Sequence, residues 1–448
     1  MTTKLPFGLL IRLIYKSYRH GRDCVAPPRL PPQPWPNYRM NDAIKTYRTA
    51  VLVLACLFPA LMQAQIIVPK NRLSNGGLRP PAEKELIYVA LPGTLEGSWD
   101  QNGNGIVVLD ASNNYSFVKR ITTWDVPASG YPEQVSGVTA SPVTQMIYIA
   151  ARGRLAAWDL TTEKKAWENP YDGNCCERPQ VSPDGTFMYV GSDLKDYWYV
   201  VNPMTGELMT KVESPKSPGA HNLNLSLDGK LAFMSPNGKV MGIADTTKHQ
   251  LLKTIAFPDN IRVFVLNHDS SLIYANLNNL LGFVIADVKT GQIIQKVEVQ
   301  GYGWPDNWNV KPRPRIPHGC PSHGIALTND EKELWLDDGL NNCIHIFDNT
   351  QMPPKEIASI KTTAGPYWIT PGLDGKLAYI SSGDVIDMKT RKIVGTLKDE
   401  YGRRMYSEKL LDMVFAGGKL TRVANQFGNG LTCDDCSDTP AAAPATKM

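Results

Sequence analysis

The sequence lacks the short motifs that usually reveal an enzyme's chemistry. It contains no phosphate-binding loop, no G-x-S-x-G, no H-E-x-x-H and no haem-attachment C-x-x-C-H. It also lacks a comfortable membrane span, because the apolar run at residues 49–62 is shorter than the roughly 20 residues that a bilayer requires. No local motif therefore assigns an activity, and any site must be assembled from residues that are distant in sequence.

Beyond residue 64 the chain also lacks an excess of basic residues. The whole sequence has 47 Lys and Arg against 43 Asp and Glu, but residues 1–64 contain nine of the former and two of the latter. The remainder therefore has 38 basic and 41 acidic residues. A slightly acidic balance argues against nucleic acid or an anionic membrane surface as the partner.

Cysteine is scarce, with eight in 448 residues. An even number of cysteines permits disulfides if the protein enters an oxidising compartment. For the adjacent pair Cys175 and Cys176 we expect one buried thiol and one paired elsewhere, with a bond between the two as the less favoured alternative. Cys433 and Cys436 lie alone, which favours a local disulfide, or no bond at all, over a zinc site. Beyond residue 64 the cysteines are Cys175, Cys176, Cys320, Cys343, Cys433 and Cys436.

The N-terminal residues resemble a leader. Residues 1–39 are basic and rich in proline, and we interpret them as an extension upstream of a start at Met40. Residues 40–64 combine basic residues, a short apolar run and a small residue near Ala64, which predicts a signal peptide and a periplasmic or secreted protein. Acylation of Cys56 is the less favoured alternative. Residues 65–83 read as an extended lead-in.

A hairpin that recurs at regular intervals organises the rest of the chain. Ser182-Pro183-Asp184-Gly185 is a tight turn, in which proline presets one backbone angle and glycine accepts a positive φ. Together with Asp184, related turns centre on residues 143, 184, 228, 269, 330 and 374. The spacings between successive turns are 41, 44, 41, 61 and 44 residues. A period in the low forties with several short strands in each unit predicts β-propeller blades.

A second marker, a strand end followed by a polar turn, keeps the same phase and occurs seven times. We therefore predict an all-β fold, a seven-bladed β-propeller of four-stranded antiparallel blades over residues 84–430. The first blade begins at Glu85 without an inner strand, and residues 410–418 are expected to supply it and close the ring. Residues 431–448 are predicted to be a disordered tail. The second marker lies at Leu109-Asp110, Trp158-Asp159, Val201-Asn202, Ala244-Asp245, Ala286-Asp287, Phe347-Asp348 and Ile386-Asp387.

Two long connections interrupt the period. One insertion lies between Val299 and Pro317 and carries Trp304 and Trp308, on the face where propellers usually bind ligands. The other runs from residue 91 to residue 105. There Asp100, Asn102 and Asn104 match the first half of a calcium loop, although the acidic residue expected at its end is replaced by Ala111.

The repeat phase also aligns the positions where the inner strands begin. Seven residues before each turn marker the residues are polar or amphipathic, and the closing strand is expected to contribute near Lys409. The immediate neighbours include Arg178 and Trp368, and His318 lies just before one member. The six aligned residues are Ser136, Glu177, His221, Arg262, His323 and Tyr367.

Four interpretations of this predicted ring remain open. In a ligand site, Arg262 and the histidines would hold an anionic or carbonyl group, with Arg178, Tyr367 and Trp368 nearby and Trp304 and Trp308 as a cover. In a catalytic site, Glu177 or a histidine would act as general base and Arg262 would stabilise an oxyanion. In a metal site, His221 and His323, together with His318 or Glu177, would bind a divalent cation. In the fourth interpretation the residues only line a water-filled channel.

The sequence resembles one known family. Residues 182–191 and 287–291 (Asp-Val-Lys-Thr-Gly) are similar to the repeats of YVTN-type seven-bladed propellers, an exported bacterial group. The resemblance implies the fold, and a wider group of similar propellers includes lactonases with Glu, His and Arg at the channel. Our leading hypothesis is an exported, monomeric propeller that binds a small polar or anionic ligand. The alternatives are a lactonase-like hydrolase at Glu177, His221, Arg262 and His323, and a scaffold that binds another exported protein.

Overall fold

The computed structural model describes residues 82–93, 102–126, 128, 130, 132–173, 175–213, 219–302 and 320–432. The predicted leader, almost all of the lead-in, most of the insertion and the tail after residue 432 lie outside these ranges. No helix within the described residues has the length and apolar character needed to cross a membrane.

The described residues form thirty β-strands. The first fifteen are β1 (Lys84–Leu91), β2 (Gly105–Asp110), β3 (Ser116–Ile121), β4 (Val135–Ser141), β5 (Met146–Ala151), β6 (Arg154–Asp159), β7 (Lys165–Pro170), β8 (Cys175–Val181), β9 (Met188–Ser192), β10 (Tyr197–Val201), β11 (Leu208–Glu213), β12 (Ala220–Leu225), β13 (Leu231–Pro236), β14 (Val240–Asp245) and β15 (Gln250–Ala256). The remainder are β16 (Ile261–Leu266), β17 (Leu272–Leu277), β18 (Gly282–Asp287), β19 (Gln292–Glu298), β20 (Ile325–Leu327), β21 (Glu333–Asp338), β22 (Cys343–Asp348), β23 (Lys355–Lys361), β24 (Ile369–Pro371), β25 (Leu377–Ile380), β26 (Asp384–Asp387), β27 (Lys392–Thr396), β28 (Leu410–Ala416), β29 (Lys419–Ala424) and β30 (Gly430–Thr432).

These strands form seven antiparallel sheets arranged as the blades of a β-propeller, as predicted. Six blades each use four consecutive strands, from β4–β7 to β24–β27. Their turns have the chemistry that the sequence indicated. At Ser182 the hydroxyl donates to the Asp184 carboxylate over 2.6 Å, Asp184 accepts from the Thr186 amide over 3.1 Å, and Gly185 has a φ of +68°. Each turn is thus stabilised locally, which explains why the repeat is visible in the sequence.

The remaining blade closes the ring with a C-terminal strand, as predicted for residues 410–418. β28 pairs with β1 in antiparallel register, with Ile87 opposite Asp412. The sheet then continues beyond the four expected strands, in the order β3-β2-β1-β28-β29-β30. Since β28 is the inner strand of its blade, β29 and β30 extend this sheet toward the axis of the propeller.

Buried asparagines on β12 and β17 connect neighbouring blades. Asn222 donates to the carbonyl of Arg262 over 3.0 Å, Asn224 to that of Phe264 over 2.9 Å, and Asn276 to that of His323 over 2.8 Å. All three asparagines are fully buried. Because buried amides must find partners, these bonds set the position of β12 against the inner strand β16, and of β17 against the residues just before the inner strand β20.

The structure corrects the expectation for the adjacent cysteines. Cys175 and Cys176 are bonded to each other, with a sulfur–sulfur distance of 2.02 Å. Both lie in an apolar cluster between two blades, together with Met146, Tyr148 and Val190. Cys320 and Cys343 are buried free thiols.

Candidate functional site

The site is built around an irregularity at the start of β8. The pairing of β8 with β9 shifts register twice, on either side of Glu177. Within this bulge Arg178 adopts a left-handed backbone conformation, with a φ of +39°, which is uncommon for a residue with a side chain. A Cβ at Gly137 would lie 2.6 Å from the Arg178 Cα, so glycine is required for the bulge to approach β4. Such strained residues persist when the surrounding structure over-determines them, and they cluster at functional sites.

The bulge places Arg178 among residues from two other parts of the ring. Its guanidinium lies 4.4 Å from the ring centre of Trp368, and its Nη2 lies 3.4 Å from the Glu408 carboxylate. The Lys409 ammonium is 2.9 Å from the same carboxylate and 5.5 Å from the Trp368 ring. All four side chains are nearly fully buried. The described part of the chain supplies no hydrogen-bond partner for Nε or Nη1 of Arg178.

Glu177 and His221 adjoin this group on its more accessible side. The His221 Nδ1 lies 3.4 Å from the Glu177 carboxylate, and the Arg178 Nε lies 3.9 Å from the same oxygen. Each of the two side chains is 16% exposed, against 4% for Arg178. We refer to Glu177, Arg178, His221, Trp368, Glu408 and Lys409 as the channel cluster.

The charges of the channel cluster shift two of its pKa values. Burial alone would raise the pKa of Glu177, but His221, Arg178 and Lys409 together hold it below its usual value. Burial and the like charge of Arg178 lower the pKa of Lys409, against the opposing effect of Glu408. Glu177 is therefore a carboxylate near neutral pH, and the site contains closely balanced charges.

The other residues that the repeat phase aligned have different surroundings. Arg262 donates to the side chain of Asn278. His323 is 2% exposed, and its Nδ1 donates to the Tyr367 carbonyl over 2.9 Å while its ring lies 6.0 Å from that of Trp368. Of the four residues predicted to be catalytic, Glu177 and His221 thus contact each other. Arg262 and His323 have other partners in the ring.

Two buried groups near this ring had no clear signal in the sequence as functional residues. The Asp337 carboxylate accepts the backbone amides of His323 and Gly324 over 2.7 and 2.6 Å. Burial nevertheless raises its pKa well above the usual value, with Asp338 and Glu408 adding to the effect. Burial likewise raises the pKa of the Cys320 thiol to about 12, which disfavours the nucleophilic thiolate near neutral pH.

Residues after β29 occupy the axis of the propeller beneath the channel cluster. The Gln426 side chain accepts from the Val138 amide over 2.9 Å and donates to the Glu408 carbonyl over 3.2 Å. The backbone carbonyl of Gln426 accepts from the Trp368 indole. Phe427 packs 5.3 Å from the Trp368 ring. These contacts reach three blades, so the channel is filled at this level and the channel cluster lies above a floor.

A cavity of about 220 Å³ lies at the opposite end of the inner strands. Its lining includes Leu227, His268, Thr328 and Leu373, from the turns that follow four inner strands, together with Phe427. None of its lining residues belongs to the channel cluster. The cavity is therefore separated from the ring of polar residues by the floor.

The described residues include only part of the predicted metal sites. No group of three or more His, Cys, Asp or Glu is placed to hold a metal ion in the part of the chain that the structure describes. Asn102 donates to Asp399 over 2.8 Å, and Asn104 donates to the Trp124 carbonyl. Two further members of the predicted metal sites, Asp100 and His318, lie outside the described residues, as do the predicted covering residues Trp304 and Trp308.

Comparisons with known proteins address the fold. No protein-family model and no curated protein matches the chain. A chain in a solved structure titled "Crystal Structure of Mitotic Checkpoint Complex" aligns with a TM-score of 0.51 at 12% identity, over 69% of this chain and 91% of that one. The likeness establishes a propeller-like fold. At this identity it carries no information on what this protein binds.

Proposed function

We propose that this propeller binds a small anionic ligand at the channel cluster. The observation that carries the proposal is Arg178, which is 3% exposed and has two guanidinium nitrogens without hydrogen-bond partners among the described residues. A buried charged donor without a partner is costly, and a strained backbone holds it there. A carboxylate or phosphate group would satisfy such donors with charge-assisted hydrogen bonds.

The neighbours of Arg178 support an anion. Lys409 adds a second buried cation 5.5 Å from the Trp368 ring, and the His221 ring adds polar nitrogens beside Glu177. The Glu177 and Glu408 carboxylates balance the charges of Arg178 and Lys409, so the site favours a ligand of low negative charge that bonds to Nε and Nη1 of Arg178. The floor at Gln426 directs entry to the side of Glu177 and His221, whose side chains are partly exposed.

The resemblance to exported YVTN-type propellers belongs to the same proposal. A disulfide between Cys175 and Cys176 fits an oxidising compartment, as the predicted signal peptide requires. A propeller is also compatible with a protein-interaction scaffold, in which the channel cluster would be inessential.

A lactonase-like hydrolase is a second candidate because Glu177 lies 3.4 Å from His221. A carboxylate beside an imidazole can orient and polarise a general base. If this candidate is right, simple lactones are hydrolysed, and Glu177→Gln lowers kcat at least a hundredfold while Arg391→Gln, whose partner is Glu333, leaves it unchanged. Absence of any lactone turnover by the wild type would exclude this candidate.

Ligand-induced thermal shifts test the anion site directly. We expect citrate or inorganic phosphate, but not glucose, to raise the Tm of the wild type. In Arg178→Lys the anion affinity derived from these shifts should be at least tenfold lower, because lysine cannot form the bidentate contact. Arg391→Gln serves as the control for loss of an arginine. Equal stabilisation of wild type and Arg178→Lys would refute a site at Arg178.

A further inference from the structure

We infer that the Cys175–Cys176 disulfide positions Arg178, so that the anion site forms only when these cysteines are oxidised. The inference rests on the proposed function and adds its redox control. Nothing in the fold itself requires a covalent bond here, because the other six inner strands begin without one within the described residues.

The disulfide and the site residues are consecutive in the chain. Cys176 is followed directly by Glu177 and Arg178, and the register shifts of β8 bracket these residues, between Cys175 and Glu177 and between Glu177 and Gln180. A bond between neighbouring side chains closes a small ring that includes the peptide linking them. Such a ring restricts the backbone that enters the bulge.

Blade β4–β7 anchors the same backbone from the outside. The Cys176 carbonyl accepts from the Ser136 hydroxyl, and the Cys175 carbonyl accepts from the Gly153 amide. Gly137, next to Ser136, leaves room for the Arg178 backbone. The bulge is therefore held between a covalent ring on one side and β4 on the other.

The two faces of this segment have different roles. The cysteines pack in the apolar cluster with Tyr148 and Val190, whereas the Arg178 side chain reaches Trp368 and Glu408. The sulfurs therefore do not contact the proposed ligand site. Their effect on Arg178 is exerted through the backbone, which makes them positioning residues.

The redox step is simple in its chemistry. A dithiol reductant supplies two electrons, the bond between the two sulfurs breaks, each cysteine gains a proton, and the reductant becomes a disulfide. With the small ring open, residues 175–178 lose the restriction that stabilises the left-handed Arg178. The inference therefore predicts that the reduced chain binds anions weakly.

The test uses Cys175→Ala/Cys176→Ala and two readouts. Citrate and phosphate affinities should fall at least tenfold relative to wild type, and modification of Arg178 by phenylglyoxal, mapped by mass spectrometry, should increase because its guanidinium leaves the buried site. Cys343→Ala, a buried free thiol in another blade, is the matched control and should change neither. Gly137→Ala should reproduce both effects with the disulfide intact, since the added Cβ meets the Arg178 backbone.

The two readouts separate this inference from the proposed function. If the wild type binds neither anion but the Arg178 modification still increases in the variants, the proposed function fails and the positioning role stands. If the double variant binds anions as tightly as wild type, or its Arg178 is no more reactive, the inference is overturned. Should the double variant not fold, wild type reduced by a dithiol and alkylated provides the same comparison.

Discussion

Asp412 provides the sharpest test of how this ring is closed. It lies on β28, the strand that joins the C-terminal part of the chain to β1, and it is fully buried. Its carboxyl accepts from the Leu373 amide over 2.8 Å. Burial, together with the neighbouring Glu85, raises the pKa of Asp412 to about 8. The pKa of Glu85 is raised as well, mainly by burial.

The sign of the resulting pH dependence follows from proton binding. In the unfolded chain Asp412 loses its proton near the usual pKa of 3.8, whereas the folded chain keeps it up to about pH 8. Between these values the folded state binds more protons, so stability falls as pH rises. At about 1.4 kcal/mol for each pH unit in which only the unfolded chain is ionised, the loss amounts to roughly 6 kcal/mol across the window from 3.8 to about 8.

The variant Asp412→Asn should remove this dependence, because asparagine can keep the bond from Leu373 and cannot ionise. We expect urea denaturation between pH 5 and pH 8 to show stability falling for the wild type and a much flatter profile for the variant. At pH 8 the variant should therefore be the more stable protein, by a few kcal/mol.

Asp384→Asn is the matched control. Burial would raise the pKa of Asp384, but hydrogen bonds from Thr363 and the Arg404 guanidinium hold it below its usual value. Its contribution is thus complete above pH 5 and disappears only in acid. This variant should lower stability by a similar amount at pH 5 and pH 8. If Asp412→Asn keeps the slope of the wild type, the protonated acid at the closing strand is refuted.

Three further predictions concern stability and use the same denaturation assay. Leu411→Ala, in the fully buried part of β28, should cost about 2–5 kcal/mol, and a cost near zero would mean that the closing strand is dispensable. Asn276→Ala should cost about 1–2 kcal/mol by removing the bond to the His323 carbonyl, and an unchanged midpoint would show that this bond does not hold the blades together. Arg404→Gln deprives the buried Asp384 of its cation and should lower the free energy of unfolding by about 2 kcal/mol or more. Arg391→Gln, whose partner Glu333 is partly exposed, should lower it by less than about 1 kcal/mol. Equal losses in the two variants would contradict this ranking.

The fold was predictable because its signals are local. The hydroxyl of Ser182, the carboxylate of Asp184 and the φ of Gly185 form one turn within four residues, and such turns recur with the length of a blade. The missing inner strand of the first blade was also visible locally, since the strand that begins near Glu85 matches the second strand of the other blades. β30 escaped prediction because three residues carry too little pattern.

The candidate site was only partly predictable. The repeat phase placed Glu177 and His221 at equivalent positions, and the structure brings them to 3.4 Å. It did not reveal Glu408 or Gln426, whose partners Arg178 and Val138 lie 230 and 288 residues away in the chain. Arg178 was noted only as a neighbour, because its left-handed backbone depends on Gly137 from another blade. Side chains joined over such distances leave no spacing that a single sequence can show.

The sequence by itself determined the number of blades, their order and the residue types available at the start of each inner strand, since these follow from turn chemistry and alternating burial within about forty residues. The tertiary structure decided which of those residues meet. Closure by β28 carries Glu408 and Lys409 to Arg178 and Trp368, and the turn after β29 brings Gln426 beneath them. The physical reason is that contacts across the axis depend on how all seven blades pack together, and no single segment of the chain determines that packing.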